Sequence, residues 1–222
     1  MARTTVLTAA HCMGDDVLGA PPNRAGDLKV LAGRTDLLSG SGQAIAVRDV
    51  WVNPAYDTVS NAGDFAVLTL AAPLPQSSVI GMAATGDTAY QPGTAATVYG
   101  QGDLSGGGDY AGSLHAARVH VLPDARCEEA YPGSTDGTYL PEAMLCAGEP
   151  QGARDACQGD SGGRGRAGPA DRAGVGGGGC GRAGSPGVYT RVSDVLRTLG
   201  RHRGAPGPHK GAWTAAEGHS WI

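Results

Sequence analysis

The chain has 222 residues, with 17 Lys and Arg against 21 Asp and Glu, for a formal net charge of −4. That length can bury one good core, and the weak acidic balance, with no concentrated basic stripe, argues against a nucleic-acid partner. No run approaches the roughly 18 apolar residues of a membrane span, and Met1-Ala2-Arg3-Thr4-Thr5 leads into no apolar stretch long enough for an export signal.

Along the chain, short apolar stretches recur between turn signals, the pattern of an all-β domain. Leu28 to Gly33, Ala44 to Val52 and Asp64 to Leu70 are predicted strands. The next segment, Leu74 to Thr94, carries Pro75, Pro92, Gly81, Gly86 and Gly93 and reads as an exposed connection. Ala95 to Tyr99 and Leu114 to Leu122 are again predicted strands, and none of the five has a 3.6-residue apolar period. Only Ser193 to Leu199 reads as helix, with Ser193 as its N-cap, and the Arg-rich run from Arg197 to Arg203 reads as its solvated face. Gly204 to Ile222, rich in Gly, Pro and His, is predicted to form no packed structure.

Two motifs carry chemistry. Asp155-Ala156-Cys157-Gln158-Gly159-Asp160-Ser161-Gly162-Gly163 places a serine among glycines, where a hydroxyl can protrude while neighbouring N–H groups converge on one point. Leu7-Thr8-Ala9-Ala10-His11-Cys12 offers the base such a serine needs, since a hydroxyl at its own pKa is a poor nucleophile. Asp64, opening the apolar run Phe65-Ala66-Val67-Leu68-Thr69-Leu70, suits a buried acid that orients the imidazole.

In the order His11, Asp64, Ser161, and with the further runs Met144-Leu145-Cys146-Ala147-Gly148 and Pro186-Gly187-Val188-Tyr189-Thr190-Arg191-Val192, the sequence resembles the chymotrypsin/trypsin family of serine proteases over about residues 5–200. The resemblance implies an all-β fold of two six-stranded antiparallel β-barrels with a short C-terminal helix. The expected boundaries are a first barrel over 1–80, a second over 93–192, the helix over 193–203 and an unstructured tail over 204–222. It implies a serine endopeptidase cutting after Arg or Lys through an acyl-enzyme. His11 would act as base, Asp64 as its orienting acid and Ser161 as nucleophile, with the N–H groups of Gly159 and Ser161 as oxyanion hole. Asp155 would lie at the base of the specificity pocket, with Gln158 and Gly187 also lining the substrate site; a charge-paired pocket selects strongly because a neutral side chain leaves its acid unpaired. It implies the disulfides Cys127–Cys146 and Cys157–Cys180, each closing a loop of about 20 residues and worth roughly 3 kcal/mol. Cys12 is left over, as expected of an odd count of five cysteines. No cofactor or metal is expected, since Asp36 to Gln43 has too few acids for a calcium loop. Peptide or protein substrates and protein inhibitors are the expected partners, for a monomer acting outside the cell.

The sequence departs from the family pattern in three places. The segment before His11 is expected to lack the family's N-terminal strands and the activating terminus that would pair with Asp160. Tyr99-Gly100-Gln101-Gly102 stands where Gly-Trp-Gly is usual. From Arg164 to Gly179, Gly, Arg and Ala replace two apolar strands, and the pattern resumes at Cys180, as two compensating frameshifts in GC-rich coding DNA would leave it. Val175 is the only aliphatic residue larger than Ala in that window, and each lost large side chain removes roughly 1.5–3 kcal/mol. The alternative expectation is therefore an inactive, degenerate protease homologue or gene fragment with at most a binding role.

Overall fold

Among the described residues, two four-stranded antiparallel sheets form the body of the protein. The computed structural model describes residues 3–22, 26–104, 108–134, 137–149, 151–152 and 184–201. The first sheet contains β1 (Thr5–Thr8), β2 (Lys29–Ala32), β3 (Gln43–Val52) and β4 (Ala66–Leu70), in the order β1-β4-β3-β2. The second contains β5 (Ala95–Gly100), β6 (His115–Val121), β9 (Met144–Gly148) and β10 (Gly187–Thr190), in the order β10-β9-β6-β5. Between β6 and β9 lies a short ribbon of β7 (Pro132–Ser134) and β8 (Gly137–Thr138). The all-β expectation holds as two curled antiparallel half-barrel sheets closed by a C-terminal helix.

Each sheet has an inner strand that reads as a continuous apolar run because it is covered on both faces. In β4, Ala66, Val67, Leu68 and Leu70 are buried, and in β9 all five residues are. The edge strand β2 instead alternates exposed and half-buried positions, as a strand with one wet face does. A bulge between Val47 and Asp49 interrupts the β3–β4 ladder, which adds twist and lets the long β3 curl.

Helix α3 (Val192–Arg201) follows β10 directly but packs on the first sheet. Its Val195 and Leu199, one turn apart, join Phe65 and Val67 in one cluster, flanked by Leu7, Trp51 and Met82. Loop residues add a second seam: Leu114 N–H donates to Thr35 O at 2.6 Å and Leu37 N–H to Gly112 O at 2.9 Å.

Three sequence expectations are corrected. Ser193 lies inside α3 rather than capping it, because the helix starts at Val192. Two helices were not foreseen: α1 (Asp15–Leu18), stopped by Gly19 in the left-handed region at φ 71°, and α2 (Asp124–Ala130). In α2, Pro123 precedes Asp124 at the helix start, and Cys127 is buried under it, so tertiary burial stabilises a segment too short to be helical alone. The connection from Leu74 to Thr94 is not wholly exposed either. Ala89 is buried, and Tyr90 packs on the second core, donates to Ala83 O at 3.0 Å and accepts from Ser193 N–H at 3.0 Å.

The Cys127–Cys146 disulfide is present and ties α2 to β9. Beside it Arg191 donates to Met144 O at 3.0 Å and to Asp124 at 3.4 Å, with its guanidinium 5.0 Å above the Tyr90 ring. Tyr139 donates to the same Asp124 oxygen at 2.5 Å. The expected Cys157–Cys180 pair and the expected tail over 204–222 lie outside the described residues. Among the described residues no helix is long and apolar enough to cross a membrane.

Candidate active site

His11 opens a single 3-10 turn, His11–Met13, immediately after β1 and the buried residues Ala9 and Ala10. Asp64 lies two residues before β4, at the end of a loop returning from β3. Because β1 and β4 are paired with Thr8 opposite Ala66, the segments beyond those residues approach each other, and 53 positions of sequence separation are closed.

The approach is a two-point hold. His11 N–H donates to one carboxylate oxygen of Asp64 at 2.9 Å, and Nδ1–H donates to the other at 2.7 Å. Asp64 is 2% exposed, so both of its oxygens face donors in a site of low water access. With the proton on Nδ1, a neutral ring carries its lone pair on Nε2, the tautomer a base needs. The hydrogen bond to Asp64, and next that to the Cys12 side chain, raise the His11 pKa from 6.5 to about 10, against the opposing effect of burial.

The loop that delivers Asp64 is built on Asn53, which is 3% exposed. Its Nδ2 donates to Gly63 O at 2.8 Å, its Oδ1 accepts from Ala55 N–H at 3.1 Å, and its own N–H donates to Phe65 O at 3.2 Å. Gly63 sits at φ 69°, and a Cβ there would lie 2.6 Å from Asn53 Nδ2, so both backbone and space demand glycine. At the far side, Thr190 donates to the main-chain carbonyl of Asp64 at 3.1 Å.

The structure thus brings together His11 and Asp64 and places Gly187 buried at the start of β10, opposite Ala147. Ser161, Gly159, Asp155 and Gln158 lie outside the described residues. Cys12 is a free cysteine. Asn53 and Thr190 were not singled out from sequence. The Asn53-Pro54 dipeptide is a turn signal, but nothing local says that its turn supports an acid ten residues later. Among the described residues no three His, Cys, Asp or Glu side chains gather as a metal-ligating group.

A histidine locked on a buried aspartate, delivered by strands of one antiparallel sheet, is the arrangement expected of a trypsin-like protein, and comparison with known families agrees. The family model described as Trypsin matches residues 1–199. The chain belongs to the trypsin family of serine proteases. It is similar to "Trypsin" of Saccharopolyspora erythraea, 42% identical over 204 residues, covering 88% of this chain and 82% of the relative. It is similar also to "Trypsin-1" of Astacus astacus, 34% identical, with 84% and 78% covered. "Transmembrane protease serine 9" of Rattus norvegicus is 37% identical over 91% of this chain, which spans only 19% of that relative.

Proposed function

We propose that this trypsin-family chain is a serine endopeptidase that cleaves after Arg or Lys. The observation that carries the reading is the two-point hold of His11 on buried Asp64, an arrangement that fixes tautomer and ring orientation together. In the proposed reaction, His11 Nε2 takes the Ser161 proton as Ser161 Oγ attacks the scissile carbonyl. The N–H groups of Gly159 and Ser161 stabilise the resulting oxyanion. His11 then returns the proton to the leaving amine, and water hydrolyses the acyl-enzyme by the same relay. Asp155, with Gln158 and Gly187 beside it, would receive the basic side chain of the substrate. Peptides and protein inhibitors are the proposed partners and the cell exterior the proposed site of action, as a monomer.

Because Asp64 and Cys12 hold the proton on His11, the base becomes available only on the alkaline side of 6.5. The rate is therefore expected to climb with pH well above neutrality, and a profile already flat by pH 7 would show that Asp64 and Cys12 do not hold the proton on His11 in this way.

A second reading is favoured by one sequence observation, the Gly-rich window from Arg164 to Gly179 in place of apolar strands. It makes the chain a silent homologue. Fluorophosphonate labelling of the oxidised protein, with Ser161→Ala as control, separates the two. Labelling confined to Ser161 supports the endopeptidase. A folded but unlabelled protein leaves the silent homologue.

A further inference from the structure

Asp64 is held from two directions. Its carboxylate faces His11 within the first sheet, while its main-chain carbonyl accepts the Thr190 hydroxyl, which belongs to the second sheet and lies 126 residues away in sequence. The ladders on both sides of β4 stop at Ala66, opposite Thr8 and Val52. The Asp64 carbonyl is therefore beyond the last paired position, and sheet hydrogen bonding does not fix its direction. Thr190 can fix it because its own backbone is rigid. It pairs with Met144 at the end of the β9–β10 ladder, and the next residue, Arg191, donates N–H to Ala143 O at 2.8 Å.

We propose that Thr190 is a positioning residue: through the Asp64 carbonyl it fixes the angle at which the carboxylate meets His11, making that geometry depend on the docking of the second sheet. Its consequence for catalysis rests on the endopeptidase reading, but its consequence for His11 does not. Small displacements matter because reacting groups misplaced by about 1 Å can lose roughly a hundredfold in rate. The hydroxyl is the operative group, so the isosteric Thr190→Val should remove the effect and Thr190→Ser should retain it.

The test follows the His11 imidazole by nitrogen-15 NMR titration in the full oxidised chain. Thr190→Val is expected to move the His11 midpoint toward 6.5 by about one pH unit as the Asp64 contact loosens. Thr190→Ser is expected to titrate like the wild type. On the alkaline plateau, fluorophosphonate labelling of Ser161 should fall about tenfold in Thr190→Val and be restored in Thr190→Ser. An unchanged His11 titration in folded Thr190→Val overturns the proposal. So does a folded Thr190→Ser whose His11 titrates near 6.5, even where the valine variant fails to fold. A wild type that is not labelled, yet whose His11 titration responds to Thr190→Val, leaves the positioning role standing and removes the endopeptidase reading alone.

Discussion

The two sheets solve the same packing problem with different clasps. The second is tied covalently by Cys127–Cys146 and reinforced by Arg191, Asp124 and Tyr139 around Met144. The first holds the buried acid and its histidine, yet its described cysteine, Cys12, is free, and its apolar face is completed by Val195 and Leu199 of a helix that leaves the second sheet. The difference places the charged pair where polar side chains and the neighbouring sheet, rather than a covalent bond, determine geometry. Asn53 orders the approach to Asp64 from one side and Thr190 from the other. The pair is therefore a readout of how well the two sheets dock.

The strongest way to break this comparison is Asp64→Asn, which keeps the shape of the side chain but lets its amide donate toward His11. Activity is expected to fall about 10⁴-fold, the size known for this substitution in a serine–histidine–aspartate triad, as checked by the rate of peptide cleavage. Next in effect is alkaline pH. The His11 pKa is raised on folding, so the stability this pair contributes is fully present below 6.5 and is lost as pH rises toward and through about 10. Melting temperature should decline over that window, and Asp64→Asn should flatten the decline.

Replacing both Cys127 and Cys146 by Ser is expected to cost roughly 2–4 kcal/mol in denaturant unfolding, through the second sheet. Asn53→Ala removes the donor to Gly63 O from the buried loop of the first and should cost about 1–3 kcal/mol, with a visible change in the His11 resonances. The comparison is sharpened by a control at its weak end. Leu38 is 92% exposed, and Leu38→Ser should change stability by less than about 0.5 kcal/mol.

Much of this was legible in order along the chain. The strand expected over Ala44 to Val52 is observed as Gln43–Val52, and that over Ala95 to Tyr99 as Ala95–Gly100, because bounded apolar runs with turn residues at both ends carry their own signal. The strand expected from Asp64 begins instead at Ala66, since Asp64 is drawn out of the ladder toward His11 and Thr190. Helix α2 was missed because seven residues have too little intrinsic helicity to announce themselves, and burial of Cys127 against the second core decides them.

His11 and Asp64 as candidates and the resemblance to the trypsin family were legible in the sequence itself, since local motifs carry chemical type, and the Cys127–Cys146 pairing was expected only through that resemblance. That the Asp64 carboxylate spans the His11 amide and ring, that α3 crosses to the first sheet, and that Asn53 and Thr190 hold the acid in place were decided only in the tertiary structure. Hydrogen-bond direction and the docking of surfaces depend on distances between segments far apart in the chain, and no local pattern of residue types encodes them.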